Sequence, residues 1–334
     1  MAIHTVTGTI KAGSQGVTLM HEHIFMDLRK KHAGTQIDQK DDLVTLEMVD
    51  MLRQNHRMLK DNLFLDDKKI ALEEVGKFKL HGGGTIVDMS NRGMGGQPTA
   101  LKYLAESSGV NIVASAGFYT DATYPSYVKR MSTKELAQEI IHDISEGIKD
   151  SGVYAGIIGE IGTSACITDT EWRVLEAAAI AQRTTGAAIS VHIDPWKPNG
   201  IEVVTFLKKC GADLTRVIVG HVDAVLDLDY CRRLLQMGCV IELDNFAKNY
   251  TTPGLHFDSD EQRIETLMVL IEEGYTSQLL ISTDVCLKTD LYCYGGGGYS
   301  YIPQIIIPKL KKAGLSERII RLITVQTPAR LLDF

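Results

Sequence analysis

The sequence predicts an α/β fold, a (β/α)₈ TIM barrel that forms one domain over residues 1–334. Three observations predict this fold. Eight short apolar runs alternate with longer amphipathic stretches, and most of those runs are continuously apolar. The chain length of 334 residues is also ordinary for a single barrel of this kind.

The eight apolar runs are rich in β-branched residues and mostly lack a polar–apolar alternation. A continuous apolar run is typical of a parallel strand that has helices on one face and a barrel interior on the other. The predicted strands are residues 17–24, 85–90, 111–116, 154–161, 187–193, 216–222, 240–244 and 279–284.

Between the strands, apolar residues recur at helical spacing. Thr133 is a predicted N-cap, and Leu136 and Ile140 after it share one helix face. A glycine such as Gly186 follows several of these segments, as is typical of a helix C-terminus. Because helices and strands alternate, a closed barrel is favoured over an open sheet. The predicted helices are residues 133–149, 169–185, 201–210, 228–237, 259–273 and 316–324.

Two segments depart from this alternation. Residues 1–16 precede the first strand, and we expect them to form a hairpin that closes the floor of the barrel. Residues 27–75 form a long charged insertion after the first strand. We expect this insertion to be helical and to cover part of the barrel mouth.

The composition excludes several classes of protein. A formal net charge of −7 argues against a general nucleic-acid binder. No apolar stretch reaches the roughly 18 residues of a membrane span, and the start of the chain lacks the apolar core of a signal peptide. The six cysteines form no CxxC pair, so we expect reduced thiols and a cytoplasmic location. We expect a small-molecule substrate and no nucleic-acid or membrane partner, and a homodimer stays open.

Five of the eight predicted strands end in residues of types that bind metal ions. Residues two apart on a strand share a face, so His21 and His23 can both point into the barrel mouth. Active sites of such barrels form at the C-terminal ends of the strands, where residues distant in sequence converge. The six candidate ligands are His21, His23, Glu160, His192, His221 and Asp284.

Four imidazoles and two carboxylates suit a pair of borderline divalent ions, with Zn²⁺ preferred and Mn²⁺, Co²⁺ or Fe²⁺ as alternatives. A single histidine at a strand end is more often a packing or surface residue. Six ligand-type residues on five separate strands are hard to attribute to chance, so we predict two divalent ions per chain. The histidines assigned to surface or packing are His4, His32, His56, His81, His142 and His256.

Eight segments, in order and over nearly the whole chain, resemble the phosphotriesterase-like branch of the amidohydrolase superfamily. They are TLMHEH at 18–23, VDMS at 87–90, ASAGFY at 114–119, GEIG at 159–162, HID at 192–194, GHVD at 220–223, STD at 282–284 and TPARLL at 327–332. Many members of this branch bridge their ions with a carboxylated lysine, whereas this chain has Glu160. It therefore resembles the glutamate-bridged subgroup, called phosphotriesterase homology or phosphotriesterase-related proteins.

The resemblance implies a role for each candidate ligand. The residues implied for the more buried ion are His21, His23 and Asp284. Those implied for the more exposed ion are His192 and His221. Glu160 would bridge the two ions, and Asp284 would also take a proton from a hydroxide that both ions share.

Two aspartates and a tyrosine are predicted to support this centre. Asp223 lies two residues past His221 and would orient an imidazole through its N–H, with a helix-capping role as the alternative. Asp88 would act similarly beneath the ions. Tyr119 resembles a tyrosine that lies near the ions in relatives and would contact substrate, with loop packing as the alternative.

Loop residues near the mouth are candidates for substrate binding. Lys248 follows the seventh strand and Lys288 lies four residues beyond Asp284. In lactonase relatives, basic residues of these two loops hold a phosphate, although exposed loop lysines are also common. The glycine-rich stretch 294–301 lacks a phosphate-loop pattern. We expect it to be a loop beside the site, with Tyr292, Tyr294 and Tyr299 as further contacts.

These inferences predict a binuclear metal-dependent hydrolase in which a shared hydroxide attacks a carbonyl. The resemblance implies a lactone or ester substrate, such as a phosphorylated sugar lactone. Phosphoesters, phosphonate esters and N-acyl amides remain open within the same chemistry. A catalytically silent barrel that binds a partner is the alternative from another class, although every expected ligand is present.

Overall fold

The computed structural model describes residues 2–31, 40–248, 251–252 and 255–334. Within them, eight strands lie in chain order around a sheet, and neighbouring strands pair in parallel. These strands are Val17–Glu22, Gly83–Asp88, Asn111–Ala116, Ala155–Gly162, Ile189–His192, Val217–Val219, Val240–Leu243 and Leu279–Ile281. The predicted barrel is confirmed, and each predicted strand is present, although several are shorter than predicted.

Hydrogen bonds to one buried carboxylate close the barrel between its first and last strands. Glu22, at the end of the first strand, accepts the backbone N–H groups of Thr283 and Val285, each at 2.8 Å. The backbone N–H of Asp284 also donates to the carbonyl of His21 at 3.2 Å. These bonds hold the ends of the two strands together, and both ends carry predicted ligands.

Helices cover the outside of the barrel. Those that follow the first seven strands are Lys68–Leu80, Pro98–Ser108, Thr133–Ser145, Asp169–Thr185, Gly200–Lys209, Leu228–Gln236 and Asp260–Glu272. The second was not predicted, and the first begins in the insertion that was expected to be helical. No helix in the described parts of the chain is long and apolar enough to cross a membrane.

The predicted N-cap at Thr133 is wrong by one residue. Ser132 is the N-cap: its hydroxyl accepts the N–H of Glu135, and the Glu135 carboxylate accepts the N–H of Ser132 at 2.8 Å. This reciprocal pair satisfies two backbone donors at the helix start. Gly186 ends the helix Asp169–Thr185 with φ of 81°, a conformation that glycine adopts readily.

The first residues form an antiparallel hairpin of Ala2–Thr5 and Gly8–Lys11. Ile3 packs in the apolar cluster of the barrel interior, together with Leu331 and Leu332 from the C-terminal helix. Just past the first hairpin strand, the backbone N–H of Val6 donates to the carbonyl of Ile112 at 2.8 Å. The hairpin therefore lies at the N-terminal ends of the strands and leaves the opposite end of the barrel open.

The insertion after the first strand is less helical than predicted. Its residues 32–39 lie outside the described part of the chain, and with them His32. From residue 40 onward its α-helices are Val49–Gln54 and the start of Lys68–Leu80. Tertiary contacts fix much of the remainder, since the Asp61 carboxylate accepts the N–H of Val44 and binds the Lys288 ammonium. Contacts of this kind leave no periodic signal in the sequence.

Candidate functional site

The structure brings all six predicted ligands together at the C-terminal ends of the strands. They form two groups of buried side chains, and within each group the ligand atoms lie within 4.8 Å of one another. The first group is His21, His23 and Asp284. The second group is Glu160, His192 and His221. The division matches the two ion positions that the resemblance implies.

Glu160 lies between the two groups. Its Oε1 is 3.4 Å from Nε2 of His23, and its Oε2 is 3.4 Å from Nε2 of His21. The same Oε2 is 3.1 Å from Nδ1 of His192. One carboxylate therefore faces imidazoles of both groups, which is the arrangement that a bridging ligand requires.

The chemistry of these donors fits divalent cations. Nε2 of His21 and Oε2 of Glu160 are buried, and neither has a hydrogen-bond partner among the described residues. A buried polar atom without a partner costs free energy, and a bound cation would satisfy both atoms. Imidazole nitrogens with carboxylate oxygens are ligands typical of Zn²⁺ and similar ions.

Asp244, which the sequence did not single out, orients two of the imidazoles. Its Oδ2 lies 3.1 Å from Nδ1 of His21, and its Oδ1 lies 3.0 Å from Nδ1 of His221. It also accepts the backbone N–H of His221 at 3.0 Å and the side-chain amide of Asn245 at 2.9 Å. Because N–H donors surround this carboxylate, it acts as a support for the rings, and each Nε2 faces another predicted ligand, Glu160 for His21 and His192 for His221.

Burial and charge affect the rings in different ways. Burial lowers the pKa of His192 to about 3, so that ring is neutral and keeps a lone pair for a cation. Burial also opposes a proton on His221, but the Asp244 carboxylate outweighs it and raises the pKa of His221 to about 10. A negative field that attracts a proton to this ring also attracts a metal ion.

Two ligand positions have a backbone conformation that is rare for residues other than glycine. The φ angle is 57° at His221 and 44° at Asp284. The glycine before His221 is required by close packing, because a Cβ on Gly220 would lie 2.8 Å from Oδ2 of Asp244. The chain thus turns sharply where it delivers these ligands, as is common at functional sites.

The prediction that Asp223 orients an imidazole is wrong. The Asp223 carboxylate contacts no imidazole within the described residues. It accepts the backbone N–H groups of Asp244 and Asn245 at 3.2 and 3.0 Å and pairs with buried Arg263 at 2.7 Å. Asp223 therefore holds the loop that carries the orienting carboxylate.

The predicted role of Asp88 also needs correction. Its carboxylate accepts the N–H groups of Ile24 and Ser90 at 2.7 and 2.9 Å. The Ser90 hydroxyl in turn lies 3.0 Å from Nδ1 of His23. Asp88 thus supports that imidazole through a serine and does not contact it directly.

Four predicted substrate contacts do not line the open site: Lys288, Tyr292, Tyr294 and Tyr299. The Lys288 ammonium pairs with Asp61 at 2.6 Å, and Tyr292 is 49% exposed with Lys77 over its ring. Tyr299 is buried and donates to the backbone carbonyl of His23 at 2.8 Å. The loop 294–301 therefore contacts the backbone that carries His23 and contributes no side chain to the lining of the open cavity.

Lys248 and Tyr119 do lie beside the predicted ligands. Lys248 is buried, and its ammonium pairs with Oδ2 of Asp284. The Tyr119 hydroxyl is 3.2 Å from Nε2 of His192 and accepts a hydrogen bond from the Lys31 ammonium. Tyr119 remains a candidate for substrate contact. The charge of Lys248, in contrast, is already matched by a carboxylate.

A cavity of about 340 Å³ opens above the ligand cluster. Its lining includes three basic side chains of the insertion and an aromatic pair whose ring centroids are 5.1 Å apart. The basic residues are Lys31, His56 and Arg57, and the aromatic pair is Trp196 and Phe257. We had assigned His56 to surface or packing, so its position in the cavity wall corrects that assignment.

A sequence signal was available for only some of the residues that the sequence analysis missed. Asp244 follows the seventh strand directly, so the same strand-end rule that selected Asp284 would have selected it. Glu22 lies between the two histidines of the first strand, and no sequence pattern there indicates that its carboxylate closes the barrel. Lys31 and Arg57 are ordinary basic residues of a long insertion, and only tertiary structure places them at the cavity.

Comparisons with known proteins relate the whole chain to one family. The N-acetyltaurine hydrolase of Dictyostelium discoideum is 34% identical over 359 residues, covering 99% of this chain and 97% of that protein. Among solved structures, a resiniferatoxin-binding protein from Rhodobacter sphaeroides superposes with a TM-score of 0.95. It is 32% identical, and the match covers 99% of this chain and 95% of that one.

A second solved structure is the phosphotriesterase homology protein from Escherichia coli, complexed with phosphate in its active site. Its TM-score is 0.83 at 30% identity, and the match covers 96% of this chain and 99% of that one. The sequence profile of the phosphotriesterase family matches residues 1–332. Because this match spans nearly the whole chain and includes all six predicted ligands, the chain belongs to the phosphotriesterase family.

Proposed function

We propose that this protein is a metal-dependent hydrolase that cleaves small N-acyl amides whose amine part carries an acidic group. One observation carries the proposal: two groups of potential metal ligands lie at the base of a cavity that also contains Lys31 and Arg57. The ligand groups suit hydrolysis of a carbonyl compound, and the basic side chains suit an anionic substrate. The curated relatives named N-acetyltaurine hydrolase support this class of substrate.

In this proposal two divalent ions bind at the ligand cluster, with Zn²⁺ as the first candidate. Divalent ions held there supply positive charge that polarises a carbonyl and favours loss of a proton from water. The ligands proposed for one ion are His21, His23 and Asp284. Those proposed for the other are His192 and His221. Glu160, which faces imidazoles of both groups, would bridge the two ions.

Asp284 is the proposed proton carrier. Its Oδ1 lies 3.4 Å from Nε2 of His23 and occupies a ligand position. Its Oδ2 faces Lys248 and is the oxygen left to hold a proton. Burial opposes ionisation, but the Lys248 ammonium outweighs it and holds the pKa of Asp284 well below its usual range. The carboxylate is therefore ionised at neutral pH.

The bond changes follow from these positions. The oxygen of a water molecule adds to the amide carbonyl carbon, and one water proton passes to Oδ2 of Asp284. The C–N bond then breaks, and Asp284 delivers that proton to the leaving nitrogen. The products are a carboxylic acid and a free amine, and Asp284 returns to its ionised form.

The size of the cavity agrees with a small substrate. A volume of about 340 Å³ lies at the lower end of the range for small-molecule pockets. The acyl group and a short amine part fit this volume, whereas a polymer does not. The phosphate bound in the active site of the E. coli relative supports entry of an oxyanion into sites of this family.

A substrate panel tests the proposal. Protein stripped with a chelator and reloaded with Zn²⁺, Mn²⁺ or Co²⁺ would be assayed on N-acetyltaurine, an N-acetyl amino acid, a sugar lactone and a phosphotriester. We expect the N-acyl amides to have the highest kcat/KM and the stripped protein to be inactive. A lactone or a phosphotriester that reacted faster than every amide would contradict the proposed substrate class.

A further inference from the structure

Three basic side chains form one wall of the cavity. Lys31, His56 and Arg57 all belong to the insertion after the first strand, and we call the two charged side chains, Lys31 and Arg57, the cationic wall. The other cavity cation, Lys248, pairs with Asp284. Among the described residues, neither Lys31 nor Arg57 lies within 4.0 Å of a carboxylate, so the described part of the chain offers these two charges no ion-pair partner.

Lys31 reaches close to the ligand cluster. Its ammonium donates to the Tyr119 hydroxyl and lies 4.4 Å from the centre of that ring. The same hydroxyl is 3.2 Å from Nε2 of His192. A single hydroxyl group therefore separates the ammonium from a predicted metal ligand. The ammonium has two further N–H donors beyond the one that Tyr119 accepts.

Arg57 is positioned by its neighbours and turned toward the cavity. Its Nε donates to Nε2 of His56 at 3.3 Å, and its backbone N–H donates to the Asn55 side chain. Burial, together with the charges of Arg57, Lys248 and Lys31, lowers the pKa of His56 to about 4. His56 is therefore neutral and accepts from the guanidinium without adding a charge.

An unmatched cation at a half-buried position is costly unless an anion accompanies it. The acidic cavity residue outside the ligand cluster is Asp194, whose Oδ1 accepts the backbone N–H groups of Trp196 and Lys197; among the described residues it forms no ion pair with Lys31 or Arg57. The carboxylates of the ligand cluster are matched by metal ions once these bind. A substrate anion is then the natural counter-ion for the cationic wall.

We propose that Lys31 and Arg57 form the anion subsite that holds the acidic group of the substrate's amine part. The assignment rests on the proposed function and replaces the anion site that the sequence suggested at Lys248 and Lys288. A guanidinium presents a planar set of donors that matches an oxyanion, and the ammonium supplies a second point of charge.

The position of Lys31 also limits the length of the substrate. Because only the Tyr119 hydroxyl lies between its ammonium and His192, the bound anion is close to the scissile carbonyl. We therefore expect a short spacer between the amide nitrogen and the acidic group, for which the two carbons of taurine serve as the first test. N-acetyltaurine has this spacing with a sulfonate, and N-acetyl-β-alanine has it with a carboxylate.

The first test compares an anionic and a neutral substrate of equal length. For Lys31→Met and Arg57→Met, the ratio of kcat/KM for N-acetyltaurine to that for N-acetylethanolamine should fall roughly ten- to a hundredfold, mostly through KM. The matched controls are Lys30→Met, at the exposed neighbouring position, and Arg53→Met, whose guanidinium donates to the carbonyl of Gly295. Neither control should change the ratio.

Unchanged ratios in both cavity variants would overturn the assignment, and so would equal losses on the two substrates. N-acetyl-β-alanine, assayed in parallel, distinguishes the two acids. A loss confined to N-acetyltaurine assigns the subsite to sulfonates, whereas a loss on both assigns it to oxyanions in general. Because Lys31→Met removes a donor to Tyr119, Arg57→Met provides a second variant that does not depend on that contact.

A binding measurement separates this inference from the proposed function. Inorganic sulfate would be titrated calorimetrically into metal-loaded protein and into both cavity variants. We expect each variant to bind sulfate at least about tenfold more weakly. If no amide is cleaved but this difference holds, the proposed function fails and the subsite stands. If amides are cleaved but sulfate binds all variants alike, the subsite fails and the function stands.

Discussion

Asp244→Asn tests whether one buried carboxylate prepares the metal centre. In the structure this carboxylate lies 3.1 Å from Nδ1 of His21 and 3.0 Å from Nδ1 of His221. Each contact fixes the tautomer in which Nδ1 is protonated and the Nε2 lone pair is left for a cation. The substitution keeps the shape of the side chain but replaces one acceptor oxygen by an amide donor.

The size of the effect follows from the number of rings involved. An amide has one acceptor oxygen, so it serves at most one of the two imidazoles and turns an N–H group toward the other. The loss of one such partner typically weakens metal binding about 10- to 100-fold, or roughly 1.4–2.7 kcal/mol. We therefore expect at least one ion to be lost at a chelator concentration that wild-type protein withstands.

The assay is competition with a chelator of known affinity, with Zn²⁺ and with Mn²⁺, followed by elemental analysis of the retained metal. Asp227→Asn is the matched control, because Asp227 is an exposed N-cap and asparagine caps a helix about equally well. Circular dichroism would show that both variants fold. If Asp244→Asn bound both ions as tightly as the control, the orienting role would be refuted.

Three further substitutions test other parts of the site. Glu160→Gln should greatly weaken the binding of at least one ion, because an amide has no charge and bridges poorly, while the barrel still folds. Metal analysis of the folded variant checks this. Asp284→Asn should keep much of the metal and reduce kcat by roughly 10² or more, the usual scale for acid–base catalysis. Glu22→Gln should lower the free energy of unfolding by about 1–3 kcal/mol, since hydrogen bonds to a charged acceptor are lost between the first and last strands; denaturant titration measures it.

The ligand cluster could be predicted because a barrel strand constrains its side chains. Residues at the C-terminal ends of parallel strands must converge, so His192 and Asp284 come together although they are far apart in sequence. Along the first strand, period-two alternation brought His21 and His23 to one side. These rules depend on backbone geometry alone, and the structure follows them at each of the six positions.

Loop residues escape such rules, because a loop side chain has no fixed direction. Lys288 lies four residues beyond Asp284, yet its short helical turn directs the ammonium to Asp61. Tyr292 follows in the next turn and is half-exposed. Lys31, in contrast, reaches the cavity from an insertion whose fold depends on tertiary contacts. Proximity in sequence to a ligand was therefore a poor guide to substrate contacts.

The support of the imidazoles shows how the barrel prepares a metal site with its own groups. Asp88 fixes His23 through the Ser90 hydroxyl, and Asp244 fixes two further rings directly. Asp244 is in turn held by Asp223, which pairs with a buried arginine. None of these carboxylates needs a metal ion to be satisfied, because backbone and side-chain donors surround each of them. The protein's own groups therefore hold three of the four predicted imidazole ligands, which limits the rearrangement that metal binding requires.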